Sequence, residues 1–371
     1  MKFLLKLALP LAVTLVVMLA GAVWIILGLP AFGAVAEGAR LQRMQKSPQF
    51  QNGRFENTPP YLSNFSIVRE VQDYLGTQAR EPSFEVPVLP MSADLLAAPV
   101  APGLRAWWLG HASALIEIDG VRILTDPVFS QRASPFQWIG PARLHSVPLA
   151  LASWKNIDAV VISHDHFDHL DQHSIEHLAQ GGSHFFVGLG IGAHLERWGV
   201  ARAQIHEMDW WEQAEFKGIT IHCTPARHYS GRTSMNNSTL WASWLVKGVT
   251  HSLYYSGDTG YAGHFKAIRA KLGVPHLALI KVGAYGDSWM DIHMSPESAI
   301  SAFQDLGAST LLPVHWATFN LAYHAWQEPM IRTVAASKTK GIQIVTPRVG
   351  EKFEFGRPFD NTPWYLATPA Q

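Results

Sequence analysis

The sequence predicts an α/β protein in which two mixed β-sheets pack face to face and helices cover their outer surfaces. Short runs of β-branched and aromatic residues that end at turn residues begin after residue 103, with RAWWL and SALIEI. From residue 172 onward, helical stretches alternate with such runs. Hydrophobic residues make up 48% of the 371 residues and charged residues 16%, which indicates a large folded core. We therefore expect two sheets rather than a doubly wound nucleotide-binding fold.

Residues 1–36 are expected to form a single-pass membrane anchor. Residues 7–36 carry no charge, and this apolar run exceeds the roughly 20 residues that cross a bilayer as a helix. Lys2 and Lys6 precede the run and Arg40, Arg43 and Lys46 follow it, so the charges only weakly favour an extracytoplasmic location for the body. A cleaved signal peptide is the alternative, although its apolar core is normally about 7 to 15 residues long.

Residues 37–103 are polar and rich in proline, and we expect a linker and lead-in arm with a short amphipathic stretch at residues 66–75. Residues 104–371 form the predicted main domain. Its strands are expected at residues 105–109, 113–118, 121–126, 157–163, 220–225, 239–246, 251–257, 276–282 and 309–315. Its helices are expected at residues 172–180, 193–198, 263–272, 296–306 and 326–337.

The composition excludes some classes of site and partner. Lysine plus arginine equal aspartate plus glutamate at 29 each, so no net charge favours binding to nucleic acid. The single cysteine, Cys223, excludes an internal disulfide and a cysteine-rich zinc cluster. The 18 histidines are numerous for a residue whose ring nitrogens bind metals. The positions of these histidines in the sequence therefore indicate where a metal could bind.

A dense group of metal-binding residue types follows the apolar run AVVIS. It contains His164, His166, Asp168 and His169. Side chains two residues apart in an extended segment share a face, so His164 and His166 can bind one ion together. Asp168 and His169 come after the turn and can face a second ion. Imidazoles with a carboxylate suit Zn²⁺, with Mn²⁺ or Fe²⁺ as alternatives.

Three further candidates, His228, Asp258 and His315, each follow an apolar strand elsewhere in the chain. Strand ends from four separate segments are what a site at one edge of packed sheets requires. An incidental, solvated cluster is the alternative, but it does not explain three histidines together with Asp168 within six residues. The sequence therefore predicts a binuclear metal site.

These residues lie in motifs similar to those of the metallo-β-lactamase superfamily, whose metal motif resembles HDHFDH at residues 164–169. Over residues 53–328, the surrounding sequence also resembles the N-acylphosphatidylethanolamine-hydrolysing phospholipases D. The sequence motifs that carry this closer resemblance are WLGHAS (108–113), LTDPVFSQRASPFQWIGPAR (124–143), MDWWE (208–212), LWASW (240–244), GDTGY (257–261), VGAY (282–285), HMSPESA (293–299) and HWATF (315–319).

The resemblance implies a metallo-β-lactamase αββα sandwich that holds two zinc ions. One ion would be held by His164, His166 and His228, the other by Asp168, His169 and His315, with Asp258 bridging both. It also implies that a hydroxide shared by the two ions attacks the substrate. The sequence after residue 328 diverges from the animal enzymes of this family, and those enzymes lack the apolar N-terminal run.

Asp168, His293 and Asp126 are the residues that the resemblance assigns to catalysis. Asp126 would orient a ligand imidazole or the attacking water; the alternative is an ordinary Asp-Pro turn. His293 would stabilise negative charge on the substrate or protonate the leaving group; the alternative is a residue that only precedes a helix start. For His111, a supporting role at the site and a structural hydrogen bond stay equally open.

The function that this resemblance implies is zinc-dependent cleavage of N-acylphosphatidylethanolamine to N-acylethanolamine and phosphatidic acid, with a phospholipid as the partner. A lactonase or sugar-phosphate hydrolase is the enzymatic alternative, because the same fold serves several substrates. The non-enzymatic alternative is a membrane-anchored metal-binding protein that turns over no substrate. The sequence does not define the oligomeric state and allows a homodimer.

A phospholipid substrate also requires apolar surface for acyl chains and cations for phosphate oxygens. The aromatic side chains considered for the acyl path are Phe136, Trp138, Trp210, Trp211, Trp316 and Phe319. The cations considered for phosphate, with ordinary surface positions as the alternative, are Arg132, Arg143, Arg227 and Arg232.

Overall fold

The computed structural model describes residues 25–62, 64–77, 79–233 and 236–366, together with Val16, Met18, Gly21 and Val23. Its strands are β1 (Phe50–Gln51), β2 (Arg54–Phe55), β3 (Leu104–Gly110), β4 (Ser113–Ile118), β5 (Val121–Thr125), β6 (Ala159–Ile162), β7 (His184–Gly188), β8 (Ile205–Met208), β9 (Gln213–Phe216), β10 (Ile219–Thr224), β11 (Ser243–Lys247), β12 (Ser252–Tyr255), β13 (Leu277–Lys281), β14 (Thr310–Val314) and β15 (Lys352–Glu354). Its helices are α1 (Gly38–Met44), α2 (Ile67–Gly76), α3 (Asp94–Ala97), α4 (Gln172–Gln180), α5 (Gly192–Arg197), α6 (His264–Leu272), α7 (Pro296–Leu306) and α8 (Glu328–Thr339).

Two mixed sheets form the body. Within the described ranges, one sheet has seven strands in the order β15-β3-β4-β5-β6-β7-β8, and the other has six in the order β14-β13-β12-β11-β10-β9. Strands β5 to β8 are parallel to one another, as are β12 to β14, whereas the remaining neighbours are antiparallel. The carboxyl ends of parallel strands meet at one edge of each sheet, which brings loops from distant parts of the chain together.

Apolar side chains bury both faces of the sheets. Every residue of β4 and of β5 is buried, which reflects strands covered on two sides. One core joins Ile116 of the first sheet with Trp244 of the second and reaches Phe265 of α6. A second core packs Leu124 against Ile175 of α4. The predicted architecture of two mixed sheets between helices is therefore confirmed.

The segment before β3 lies against this body. Met44 of α1 and Phe55 of β2 pack with Trp241, while Leu96 of α3 belongs to the core beneath α4. Buried side chains in this polar, proline-rich segment mean that it contributes to the core as well as linking. The domain boundary expected between residues 103 and 104 stays a prediction.

The membrane anchor expected in residues 1–36, and the single-pass extracytoplasmic location derived from it, are wrong. No helix within the described residues is long and apolar enough to cross a bilayer, and most of residues 1–24 lie outside the described ranges. A 3₁₀ turn lies within the apolar run, at Pro30–Phe32. Beyond it, the Ala34 N–H donates to Nδ1 of His194 at 2.9 Å, and Ala36 is buried beside Met44. Ala34 and Ala36 therefore contact the protein itself.

Arg122 joins the lead-in segment to the first sheet. Its guanidinium is buried and donates to Oε1 of Glu117, at 2.7 and 3.1 Å. It also donates to the carbonyls of Leu96 and Leu95, both at 3.0 Å. The Arg122 side chain thus donates hydrogen bonds both to backbone carbonyls of α3 and to the buried Glu117 carboxylate of β4.

We expect Arg122→Ala to lower the free energy of unfolding by about 3–5 kcal/mol, because Oε1 of Glu117 and several carbonyls lose their donor, while Oε2 keeps the donor from Arg105. Lys217→Ala is the matched control, since Lys217 forms an exposed ion pair with Asp158 worth about 1 kcal/mol or less. Urea denaturation followed by tryptophan fluorescence measures both. Equal losses for the two variants would contradict the importance of the Arg122 contacts.

Candidate metal centre

The candidate ligands gather at one end of the sandwich, where strands of both sheets end. His164, His166, Asp168 and His169 follow β6, His228 follows β10, Asp258 follows β12 and His315 follows β14. These strands are rigid and buried, so the loops that leave them start from well-fixed positions. The structure therefore brings together all the ligands that the sequence suggested.

His164, His166 and His228 form the first group. Nε2 of His164 lies 2.8 Å from Nδ1 of His166, which lies 3.4 Å from Nε2 of His228. Burial, followed by the neighbouring imidazoles, holds the pKa of His164 well below its usual value. Burial likewise lowers the pKa of His228. Neutral imidazoles whose ring nitrogens converge have the protonation state that metal binding requires.

Asp168, His169 and His315 form the second group. Nε2 of His169 and Nε2 of His315 are 3.1 Å apart, and each lies 3.3 Å from Oδ2 of Asp168. Asp258 lies between the two groups. Its Oδ1 is 3.1 Å from Nε2 of His315, and its Oδ2 is 3.4 Å from Nε2 of His169 and 3.9 Å from Nε2 of His228.

The charges of this site fit divalent cations. Burial alone would raise the pKa of Asp258, but His315, His169 and His293 hold it well below its ordinary value, so the carboxylate is ionised. Oδ1 of Asp258 accepts no hydrogen bond from the part of the chain that the structure describes. Ionised carboxylates deep in a protein need a compensating charge. Two carboxylates among converging imidazoles are a donor set suited to a pair of divalent metal ions.

Asp126 contacts the second group on the side away from its converging atoms. Its carboxylate is fully buried, and Oδ2 lies 2.6 Å from Nδ1 of His169, which turns Nε2 of that ring toward the centre. Oδ1 accepts the Ser163 N–H at 2.7 Å, and Oδ2 accepts the Tyr255 hydroxyl. The structure thus places Asp126 in contact with a candidate ligand as well as in a turn. Sequence reasoning did not find Ser163 or Tyr255, because nothing local marks a tyrosine 129 residues away as a partner.

His111, whose role the sequence left open, belongs to this centre. Its Nε2 lies 2.9 Å from Oδ2 of Asp168, and its ring centroid lies 4.0 Å from that of His315. Burial, then the neighbouring His315, lowers the pKa of His111 to about 3. A neutral ring that donates to Asp168 fixes the direction of this carboxylate.

Three residues of the centre have left-handed backbone conformations that are unfavourable for side chains other than glycine. The φ angles are 50° for His111, 31° for Asp126 and 66° for His315. Such strain persists only where surrounding contacts hold it, and it concentrates at functional sites. This backbone geometry is consistent with a site whose ligand directions matter.

His293 lies beside Asp258 on the wall of the adjoining cavity. Its Nε2 is 3.6 Å from Oδ2 of Asp258. The N-terminus of α7 is capped by Ser295, whose hydroxyl accepts the Ser298 N–H, so the helix start does not use the His293 side chain. The structure therefore leaves the His293 ring facing the site.

A cavity of about 680 Å³ opens over the centre. His166, Asp168, Asp258, His293 and His315 line this cavity. Apolar and aromatic side chains also line it: Tyr61, Phe65, Trp289, Ile292 and Leu321, with Tyr229 beside His166 and His228. The cavity therefore combines the candidate metal ligands with apolar surface.

The aromatic and basic residues suggested for the substrate lie elsewhere. Phe136, Trp138, Trp210, Trp211, Trp316 and Phe319 line no part of this cavity. Trp316, for example, stacks on Trp108 in the core with ring centroids 5.2 Å apart. Two of the arginines donate hydrogen bonds within the protein. Arg227 donates to the Asp291 carboxylate and to the carbonyl of Pro59, and Arg143 donates to the carbonyls of Ser130 and Val128.

Arg232 and His194 join the N-terminal segment to the loop of the first ligands. Arg232 donates to the carbonyl of Ala31 at 2.8 Å and to that of Asp165 at 2.7 Å. His194 accepts the Ala34 N–H through Nδ1, and its Nε2 lies 3.3 Å from Oδ2 of Asp165. Asp165 lies between His164 and His166, so these contacts fix the loop from outside.

Comparisons with known proteins agree with this geometry. A family model described as a beta-lactamase superfamily domain matches residues 121–316, which include every candidate ligand. An uncharacterized protein of Mycobacterium tuberculosis is 41% identical over 358 residues, which cover 94% of this chain and 96% of that protein. The N-acyl-phosphatidylethanolamine-hydrolyzing phospholipase D 1 of Caenorhabditis elegans is 34% identical over 270 residues, which cover 68% of this chain and 76% of that enzyme.

Among solved structures, Igni18, a metallo hydrolase from the archaeon Ignicoccus hospitalis, matches with a TM-score of 0.53 and 23% identity. The match covers 68% of this chain and 99% of that protein. At this identity the likeness supports the shared fold alone.

We expect Asp126→Asn to weaken metal binding about 10- to 100-fold, because an amide cannot hold the His169 ring as a carboxylate does. Asp360→Asn, at an exposed position, is the matched control. Elemental analysis after equilibration with graded chelator concentrations measures the metal retained. If Asp126→Asn keeps its metal as the control does, Asp126 serves only the turn.

Proposed function

Because the chain belongs to the metallo-β-lactamase superfamily and is a metal-dependent hydrolase, we propose that it is a zinc-dependent phospholipase D. Its proposed substrate is N-acylphosphatidylethanolamine, and its products are N-acylethanolamine and phosphatidic acid. The observation that carries this proposal is the cavity, which is lined both by candidate metal ligands and by apolar side chains. A phosphodiester with acyl chains has this combination of polar and apolar parts.

The mixed lining of the cavity favours this substrate over the alternatives. Trp289 and Leu321 offer apolar contact to acyl chains, which a sugar phosphate lacks. A small lactone would occupy only part of a cavity of about 680 Å³. The 34% identity to a phospholipase D acting on N-acylphosphatidylethanolamine supports the same choice.

We assign His164, His166 and His228 to one zinc ion and Asp168, His169 and His315 to the other, with Asp258 between them. The imidazole-rich donor set favours zinc over Mn²⁺ or Fe²⁺. When bound, the two ions supply Lewis-acid activation of a water molecule and of the phosphate oxygens.

The protein's own residues orient and assist this chemistry. Asp126 holds the His169 ring, and His111 holds the Asp168 carboxylate, so the ligand directions are set before substrate arrives. Water adds to phosphorus, the bond to the ethanolamine oxygen breaks, and that oxygen takes up a proton. His293, on the cavity wall beside Asp258, is the residue that we assign to stabilise or protonate this leaving oxygen.

The direct test incubates zinc-loaded protein with N-acylphosphatidylethanolamine and measures both products by mass spectrometry. We expect turnover that a chelator abolishes and zinc restores. Asp258→Asn and His315→Ala should lose nearly all activity, because each removes a proposed zinc ligand. His173→Ala is the control, since the His173 side chain is 79% exposed on α4. Turnover of lactones with no cleavage of this phospholipid would overturn the proposal.

We expect His293→Gln to lower kcat by about 10²- to 10⁴-fold, which is the usual contribution of a general acid. Metal content should stay unchanged, because His293 is not assigned as a ligand. Steady-state kinetics together with elemental analysis separates the two effects. An unchanged kcat would show that His293 takes no part in the reaction, and a loss of metal would show that His293 is a metal ligand.

A further inference from the structure

Helix α2 turns its apolar side away from the protein. The half-buried residues of this helix are Glu70 and Asp73. Its large apolar residues recur at helical spacing and share one face: Ile67, Val68, Val71, Tyr74 and Leu75, between 51% and 74% exposed. A helix on the surface of a folded protein normally turns its apolar side inward, so this apolar face indicates a partner beyond the residues that the structure describes.

The same apolar surface continues to the mouth of the cavity. Leu62 and Phe65, just before α2, are 73% and 67% exposed. Phe65 also lines the cavity over the candidate metal centre, as does Tyr61. We refer to Leu62, Phe65 and the five apolar residues of α2 as the apolar rim.

Contacts at both ends hold the apolar rim beside the cavity. The Leu62 N–H donates to Oδ2 of Asp291 at 2.6 Å, next to the cavity residue Ile292. After α2, the Thr77 hydroxyl donates to the carbonyl of Tyr323 at 2.5 Å. The Tyr74 ring also packs edge-on against the Tyr323 ring, with centroids 6.0 Å apart. The apolar rim is therefore fixed in place at the entrance.

We propose that the apolar rim inserts into the acyl-chain layer of a phospholipid surface. The inference rests on the proposed function, because a lipid substrate would then pass from this layer into the cavity without its acyl chains crossing water. A protein partner or a second copy on the rim would cover the cavity mouth and hinder substrate entry. A lipid surface supplies the substrate at that mouth.

The charges predict how this contact behaves. Among the residues of α2, Arg69 is the one cation, and the acidic Glu70 and Asp73 lie on the side toward the protein. Binding should therefore depend on apolar insertion rather than on anionic head groups. We expect binding to vesicles of zwitterionic phosphatidylcholine with little dependence on salt concentration.

The test uses the double variant Val68→Asp with Val71→Asp, at positions outside the cavity. Its matched control is Val249→Asp with Val274→Asp, which places the same charges at exposed valines elsewhere on the body. In co-sedimentation with phosphatidylcholine vesicles, we expect the α2 variant to bind at least about tenfold more weakly and the control to bind normally. Circular dichroism and metal content should match between the two variants.

Activity distinguishes this inference from the proposed function. The α2 variant should lose about tenfold of its turnover on N-acylphosphatidylethanolamine in vesicles, yet cleave a short-chain, fully soluble analogue at the normal rate. Unchanged vesicle binding by the α2 variant would overturn the inference, as would a dimer in light scattering that this variant dissociates. If the unmodified protein binds vesicles through the rim but cleaves neither lipid, the proposed function fails and the lipid contact stands.

Discussion

The end of the sandwich is organised around two carboxylates: Asp258, which is buried, and Asp168, whose side chain is 15% exposed and lines the cavity. Isolated charges in a protein interior are costly, so the surrounding residues have to supply positive charge or bind it. The imidazoles of the candidate ligands converge on these two carboxylates from the loops after β6, β10 and β14. The strained backbone at His111 and His315 and the buried network around Asp126 follow from the same need, because each fixes a side chain that faces these carboxylates. The sandwich can bear this strain because its strands are buried on both faces.

Much of this arrangement can be read from the amino-acid sequence, because the relevant signals are local. Helices α4 and α7 and strand β4 have the predicted bounds, since each combines a clear periodicity with turn residues at its ends. The candidate ligands follow apolar strands, and parallel strands necessarily bring their carboxyl ends to one edge. Strands β1, β2, β7, β8, β9 and β15 were not predicted. β9 is partly exposed and β15 has three residues, so neither carries a strong hydrophobic signal.

Other features depend on tertiary contacts that no local pattern contains. Hydropathy does not distinguish residues that pack in a bilayer from residues that pack on protein, which is why Ala34 and Ala36 were assigned to a membrane span. The sequence suggests the aromatic residues of the main-domain motifs as an acyl path. The cavity wall instead comes from Tyr61 and Phe65 of the lead-in segment and from Trp289. The sequence likewise gives no sign that the donors of Arg232 are taken by carbonyl groups.

The bonds of Arg232 also bear on the order in which the protein forms. Its partner Ala31 lies 201 positions earlier in the chain, and its partner Asp165 lies 67 positions earlier. During synthesis from the N-terminus, the segment at Ala31 leaves the ribosome long before the guanidinium that binds it. The loop carrying His164 and His166 is made in between and lacks this support until Arg232 follows. Contacts between such distant residues form slowly, so the loop should reach its final conformation late in folding.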